Sequence, residues 1–129
     1  MSMSGSSRGP RFVRVFRQEG TARRTSPTGS VGRVFRGSGF EVVWVRKKGE
    51  EIDDRWFSHS GVDVLAVLTG RLKVEFPGAT RTRVLGPGDV MVLPPRARCR
   101  AYRWPRSSRR ATIFLAIYPV DPRGSRTHR

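Results

Sequence analysis

The feature of this sequence that most constrains its fold is a regular alternation of short apolar runs and turn-forming residues from Val34 onward. The run at 71–76 alternates strictly, so Leu72, Val74 and Phe76 share one face, as in a strand with one buried side. Further apolar runs lie at 40–46 and 63–68, and turn-forming residues follow the runs at Lys48-Gly49, Thr69-Gly70, Pro77-Gly78, Gly86-Pro87-Gly88 and Pro94-Pro95. Short strands that recur about every 8 to 12 residues are typical of antiparallel sandwiches and barrels. Because 129 residues are the size of one domain, the sequence predicts a single all-β domain.

Basic residues are concentrated towards the two ends of the chain. The formal net charge is +16, of which residues 1–36 carry +7 and residues 96–129 carry +9, so residues 37–95 are neutral. We therefore predict three regions: a flexible Arg-rich N-terminal arm at 1–33, a β-barrel at 34–120 and a basic tail at 121–129. Within the arm, the Gly-, Ser- and Thr-containing segment 18–32 is predicted to be disordered, whereas 11–17 could form a strand.

Two segments of the predicted barrel match a known pair of motifs. In the first, Trp56 to Asp63 followed by Val67 to Gly70, His59 stands where the motif has its second histidine and Asp63 where it has a glutamate. The second consists of Gly86 to Pro95, with Cys99 at the position of a further histidine. On these motifs the chain resembles the cupins over residues 40–119. The resemblance implies a cupin-type jelly-roll β-barrel.

The resemblance also implies the location of a site inside the barrel. Cupins commonly hold a metal ion with two histidines, a glutamate and a third histidine, where this chain has Phe57, His59, Asp63 and Cys99. His59, Asp63 and Cys99 could together bind one divalent metal, Zn or Fe, with water as the fourth ligand. Two alternatives stay open. In one the metal site is lost and Cys99 is a small buried hydrophobic residue; in the other His59, oriented by Asp63, acts without metal as a general acid and base or activates Cys99.

These residues lead to three functional hypotheses. The first is a small-molecule enzyme of the isomerase, cyclase, lyase or dehydratase type, with His59, Asp63 and Cys99 as its catalytic residues. The second is a metal-dependent cupin enzyme such as a dioxygenase. The third is a non-catalytic cupin that binds a ligand or associates with nucleic acid. The fold alone does not choose among them, because one fold hosts many activities.

Apolar residues are expected to surround this site. The predicted substrate pocket consists of Phe57, Leu65, Val67, Leu72, Val74, Phe76 and Tyr102, and Val84 and Trp44 are expected near them. Alternation in 96–101 points Ala97, Cys99 and Ala101 inward as well. Such a lining suits a largely apolar organic molecule. The same side chains could instead simply fill a small barrel.

Surface composition supplies hypotheses about partners. The segment 96–110 interleaves seven arginines with Tyr102 and Trp104, a composition compatible with nucleic acid, although no nucleic-acid-binding motif accompanies it and a solvated rim is the interpretation we adopt. The run 111–118 is apolar on both faces, and with 11–17 it predicts a homodimer contact. Cys99 is the only cysteine, so no intrachain disulfide forms and a cytoplasmic location is predicted. No apolar run reaches the roughly 20 residues of a membrane helix, so no membrane partner is expected.

Overall fold

The computed structural model describes residues 9–26, 28–48, 55–78 and 82–120, and it is built of antiparallel β-strands. A single 3₁₀ turn, Val15–Arg17, precedes the strands. The strands are β1 (Thr21–Ser26), β2 (Gly29–Arg36), β3 (Phe40–Lys47), β4 (Asp63–Thr69), β5 (Leu72–Glu75), β6 (Thr82–Leu85), β7 (Val90–Leu93), β8 (Arg100–Arg103) and β9 (Thr112–Pro119). Within these described ranges no helix is long and apolar enough to cross a membrane. The all-β prediction is confirmed.

The strands form two sheets that share one hydrophobic core. The larger sheet has six strands in the order β1-β2-β3-β9-β4-β7, and the smaller has three in the order β6-β5-β8. Val67 and Phe114 from the larger sheet and Leu72 and Val74 from the smaller are at most 1% exposed and belong to the same core cluster. The two hydrogen-bonded ladders are separate sheets, so the barrel is formed by facing sheets rather than by one continuous ladder.

Side-chain alternation in the central strands agrees with the sequence. Strands β3, β4, β5 and β9 lie where the apolar runs predicted them. On β5, Leu72 and Val74 are fully buried while the intervening Lys73 is half-buried on the opposite face. Ahead of β8, Cys99 is buried, and Ala97 and Ala101 pack against the same core. Period-two alternation therefore located the inward face of these strands.

The prediction for the N-terminal arm is wrong in two places. The segment 18–32, expected to be disordered, contains β1 and the first half of β2, so the larger sheet begins at Thr21 rather than near residue 34. The segment 11–17 forms no strand and ends in the 3₁₀ turn. The physical reason is ladder pairing: β2 bonds to β3 along its whole length, so backbone hydrogen bonds order a segment with few apolar side chains of its own. Residues 1–8 and the predicted tail 121–129 lie outside the described residues.

Trp44 holds the chain around β1 and β2 against the outer face of β3. Its indole is 1% exposed, and its Nε1 donates a hydrogen bond of 2.7 Å to the carbonyl oxygen of Glu19. Gly32 permits the close packing, because a Cβ there would lie 2.3 Å from the indole ring. Trp44 alternates with the core residues Val43 and Val45, so it lies on the outer face of the sheet. Its expected place inside the barrel is therefore wrong.

Val84 is a second residue that was wrongly predicted to lie inside the barrel. It pairs with Lys73 across the β5–β6 ladder and therefore shares the outward face of the smaller sheet. Its side chain is accordingly 44% exposed. The short strand β6 lies at the edge of that sheet, where an apolar residue does not by itself indicate burial.

Candidate functional site

The four motif positions all lie inside the barrel. Phe57 and Cys99 form an isolated antiparallel bridge, with Phe57 N donating to Cys99 O at 2.7 Å and Cys99 N donating to Phe57 O at 2.9 Å. His59 follows on the same segment, and its carbonyl accepts from Arg96 N at 2.7 Å. Asp63 is the first residue of β4. Phe57, His59, Asp63 and Cys99 are at most 6% exposed, so the inward placement implied by the motifs is observed.

His59 and Asp63 form a buried pair. The chain bends at Ser60 and Gly61, which brings the first residue of β4 back beside the imidazole. His59 Nδ1 lies 2.8 Å from Asp63 Oδ2, and the two side chains are 0% and 6% exposed. An ionised carboxylate can only accept a hydrogen bond, so with Asp63 ionised Nδ1 is the donor and Nε2 keeps the free lone pair of the ring. This arrangement orients a histidine for acid–base chemistry.

Tyr118 and Glu41 extend this pair across the larger sheet. The Tyr118 ring stacks on the His59 ring with centroids 4.5 Å apart and an interplanar angle of 12°. Its hydroxyl donates to Glu41 Oε1 at 2.9 Å, and Arg33 Nε donates to Glu41 Oε2 at 2.7 Å. Glu41 is 0% exposed, and its ion pair with Arg33 balances the buried charge. Two hydrogen-bonded pairs, joined by ring stacking, thus fix the plane of the imidazole.

Glu41, Tyr118 and Arg33 were not identified as site residues from the sequence. Glu41 could have been singled out from the sequence. It alternates in step with the core residues Val43 and Val45, so it is an acidic residue at an inward-facing position of β3. Tyr118 ends the run 111–118 that was predicted as a homodimer contact, and it is only 3% exposed. Its role beside His59 depends on the pairing of β9 with both β3 and β4, which no local pattern shows.

Cys99 packs among hydrophobic residues. Its thiol belongs to the core cluster that also holds Leu72 and Val74, opposite Phe57 on the neighbouring segment. Among the described residues, no three His, Cys, Asp or Glu side chains form a group that could hold a metal ion. The structure therefore gives no support to a three-ligand metal site of His59, Asp63 and Cys99 in the described part of the chain. The position of Cys99 fits the alternative in which it packs as a small hydrophobic residue.

Metal analysis of the purified protein tests this geometry. Because Cys99 packs in the hydrophobic core with Leu72 and Val74, we expect the zinc or iron content measured by inductively coupled plasma mass spectrometry to be the same in the native protein and in Cys99→Ser. A stoichiometric metal that disappears in Cys99→Ser would show that the thiolate is a ligand and would contradict this expectation.

The predicted pocket residues are mostly packed against one another. Leu65, Val67, Leu72 and Val74 are at most 1% exposed and belong to the core cluster, which supports the interpretation that they fill the barrel. Phe76 is partly buried against the same cluster. Tyr102, 5% exposed, lies on β8 and donates from its hydroxyl to Glu75 Oε2 at 2.6 Å.

Tyr102, Glu75 and Arg100 form a second polar group on the smaller sheet. Arg100 Nε donates to Glu75 Oε1 at 2.9 Å, and its guanidinium lies 4.5 Å from the centre of the Trp56 ring. The hydrogen bonds from Tyr102 and Arg100 hold the pKa of Glu75 below its usual value. Burial, followed by the hydrogen bond to Glu75, raises the pKa of Tyr102 to about 12. The group stabilises the pairing of β5 with β8.

This raised pKa predicts an alkaline transition that Tyr102 dominates. In Tyr118→Phe, Tyr102 is the only remaining tyrosine, and ultraviolet absorbance of tyrosinate should rise with a midpoint near 12 rather than 10. Since the folded pKa exceeds the unfolded one, this contribution to stability is complete below pH 10 and is lost as pH rises towards 12. Tyr102→Phe should remove that loss between pH 10 and 12. A folded-state midpoint near 10 would contradict the hydrogen-bonded, buried phenol.

Comparison with known proteins finds structural relatives. No family model and no curated protein matches the chain. The structure is similar to a proposed mannose-6-phosphate isomerase from Ralstonia eutropha, with 20% identity, 85% of this chain and 98% of that chain covered, and a TM-score of 0.67. It is similar to KdgF from Halomonas sp., with 19% identity, 79% and 89% coverage and a TM-score of 0.63. It is also similar to a cupin-like protein from Thermotoga maritima, with 20% identity, 77% and 76% coverage and a TM-score of 0.64. At these identities the likeness is one of fold.

Proposed function

Because this chain has the jelly-roll fold of the cupin superfamily, we propose that it is a cupin-type enzyme that transfers a proton within a small organic molecule, with His59 as the acid and base. The observation that carries the proposal is the buried hydrogen bond of 2.8 Å between His59 Nδ1 and Asp63 Oδ2. A carboxylate that orients a histidine in this way fixes its tautomer and stabilises the imidazolium that forms during proton transfer. The activity of the proposed enzyme is of the isomerase type.

The proposed reaction consists of two proton transfers. His59 Nε2 removes a proton from a carbon next to a carbonyl group, and the electron pair moves to the carbonyl oxygen, giving an enolate. The imidazolium, paired with Asp63, then returns a proton to another atom of the enolate, so atoms and charge balance. Tyr118, stacked at 4.5 Å, keeps the imidazole plane constant between the two steps. No step uses Cys99, which packs in the core.

The class of substrate is inferred from the surroundings of the pair. The motif position two residues before His59 holds the buried, apolar Phe57, which favours a largely apolar molecule with one carbonyl group. The relative from Ralstonia eutropha is described as a proposed mannose-6-phosphate isomerase. It supports the reaction class for this chain; the substrate of that protein is not carried over, because the likeness is one of fold.

Exchange of substrate protons with deuterated water tests the proposal and does not require the product to be identified. The probe is a panel of hydroxyketones that ranges from small sugar ketoses to aryl ketones, incubated with the protein and followed by proton NMR. We expect deuterium to enter the carbon next to the carbonyl of at least one compound. Cys99→Ser, as a control, should exchange at the same rate. Absence of exchange across the panel would count against proton-transfer chemistry.

A second copy of this chain is the partner that we propose for the outer face of the larger sheet. Register across β3, β9, β4 and β7 places Val42, Ile117, Val64 and Val92 in one row on this face. Val92 is 62% exposed and the neighbouring Val90 is 61% exposed, whereas side chains of an isolated sheet face are normally polar. A row of half-buried and exposed apolar side chains on one sheet face is suited to a self-complementary contact.

Light scattering during gel filtration tests the dimer. The native protein is expected to show about twice the chain mass of 14.6 kDa. Val92→Asp places a charge in the contact and should shift the protein to a monomer. Val84→Asp is the matched control, since Val84 is 44% exposed on the other sheet, and it should leave the dimer intact. A native monomer, or equal effects of both substitutions, would refute this contact.

A further inference from the structure

A groove lies at the opposite end of β4 from the His59–Asp63 pair. Strand β4 runs from Asp63 to Thr69, so seven residues at about 3.3 Å each separate the two regions by about 20 Å. The groove has a volume of about 320 Å³ and lies between the β4–β5 turn, the β6–β7 turn and the β8–β9 loop. Its lining includes Arg71, Pro87, Trp104, Ser108 and Arg110. It is therefore a separate feature from the proposed catalytic site.

Hydrogen bonds between the loops hold the groove in shape. The carbonyl of Arg71 accepts from Trp104 N at 3.1 Å and from Thr112 Oγ1 at 2.5 Å, which ties the β4–β5 turn to both ends of the β8–β9 loop. Within that loop, Arg110 N donates to Ser108 Oγ at 3.1 Å, and Ser108 Oγ donates to Arg110 O at 3.3 Å. Because the walls are already ordered, a ligand would bind without a large cost in loop ordering.

The groove combines positive charge with an aromatic ring. Arg71 and Arg110 are exposed, and neither forms an ion pair with any carboxylate of the described residues. Lys73 Nζ lies 3.9 Å from the centre of the Trp104 ring, which adds a third cation beside the groove. Asp89 lies two residues after Pro87, and its Oδ2 accepts a hydrogen bond from Gly86 N at 2.7 Å. Guanidinium groups bind phosphate oxygens, and an indole offers a surface for a flat ring.

We propose that this groove binds single-stranded nucleic acid, with a phosphate between Arg71 and Arg110 and a base against Trp104. The volume of about 320 Å³ is at the lower end of small-ligand pockets and matches one nucleotide unit rather than a folded partner. A polymer is favoured over a free nucleotide because the formal net charge of the chain is +16, of which +9 lies on residues 96–129, and these include the loop that lines the groove. In a polymer, the phosphates on either side of the bound nucleotide are also attracted by this positive charge, which strengthens binding. This site does not depend on the proton-transfer proposal.

Fluorescence anisotropy with a labelled single-stranded oligothymidylate tests the site in the full chain. Arg71→Ala/Arg110→Ala is expected to weaken binding by about tenfold or more and to reduce the slope of log affinity against log salt by about 1.4, since each phosphate contact to a single strand contributes about 0.7. The matched control is Arg17→Ala/Arg98→Ala, which removes two exposed arginines outside the groove and should change affinity by less than about threefold. Trp104→Leu should weaken binding about tenfold, while Trp104→Phe, which keeps a stacking ring, should stay near the native affinity. Circular dichroism confirms that each variant is folded.

Three results would overturn the proposal. Equal loss in the groove and control variants would show that affinity comes from overall charge. Competition by adenosine monophosphate as strong as that of the oligonucleotide would assign the groove to a free nucleotide. Duplex DNA bound as tightly as the single strand would exclude base stacking on Trp104. Loss confined to the Arg71/Arg110 and Trp104→Leu variants would support the site.

Discussion

Replacement of His59 by asparagine is expected to slow proton exchange in deuterated water by about 10²- to 10⁴-fold, the usual contribution of a general acid–base residue. The asparagine amide can still donate a hydrogen bond to Asp63, so the pocket keeps much of its geometry. It has no nitrogen that takes up a proton near neutral pH, so the loss falls on the chemical step. Exchange rates by NMR give the measurement, and an unchanged rate in His59→Asn would falsify the role of His59.

Asp63→Asn separates positioning from proton transfer. Asparagine can donate as well as accept, so it no longer requires Nδ1 to be the donor, and the wrong imidazole tautomer becomes accessible. We expect kcat to fall while KM changes little, and the double variant with His59→Asn to be no slower than His59→Asn alone, because residues that act as a unit are not additive. Asp89→Asn changes an exposed carboxylate on the β6–β7 turn and should leave the rate unchanged. Additive losses at His59 and Asp63 would indicate that the pair does not work as a unit.

Replacement of Trp44 by alanine is expected to lower the free energy of unfolding by about 3–5 kcal/mol, the usual cost of removing a large buried aromatic side chain. Trp44 is 1% exposed, and it anchors the chain near Glu19 and Gly32 to the outer face of β3. Its loss removes both the packing and the hydrogen bond of 2.7 Å to Glu19 O. Urea denaturation measures the change, and hydrogen exchange should show that β1 loses protection first.

Two further variants test whether the loss of stability comes from the indole of Trp44. Trp44→Phe keeps most of the packing but removes the Nε1 donor, so a smaller loss of about 1–2 kcal/mol is expected. Trp56→Ala is the matched control, because Trp56 is only half-buried and contacts Arg100 near the surface, and it should cost about 1 kcal/mol. Losses of equal size at Trp44 and Trp56 would contradict the role of Trp44 as the anchor of the N-terminal strands.

The motif spacing indicated the hydrogen-bonded pair of His59 and Asp63 but not the residues that pack around it. His59 and Asp63 are four residues apart, and the bend between them is local, so their proximity could be predicted from the chain alone. Cys99 was predicted to lie inside the barrel, and it does, with Phe57 as its backbone partner there. Which interior residues touch depends on strand register, and register is a property of the assembled sheets.

The N-terminal region shows why polarity alone misplaced a strand. Residues 18–32 contain few apolar side chains, and from composition they have little to bury. Yet β2 pairs with β3 from Gly29–Lys47 to Arg36–Glu41, and that ladder satisfies its backbone groups. A strand that adds to an existing sheet needs a suitable edge more than it needs a core of its own. The apolar runs of β3 supplied that edge.

The amino-acid sequence by itself determined the positions of β3, β4, β5 and β9, the inward positions of Leu72, Val74 and Cys99, and the placing of His59 beside Asp63, because each follows from the spacing of nearby residues. Only the tertiary structure decided that Tyr118 stacks on His59, that Glu41 is balanced by Arg33, and that Arg71, Trp104 and Arg110 meet at one groove. Those contacts join residues up to 77 positions apart, as between Glu41 and Tyr118. Their proximity arises from the order and register of paired strands, which local periodicity does not encode.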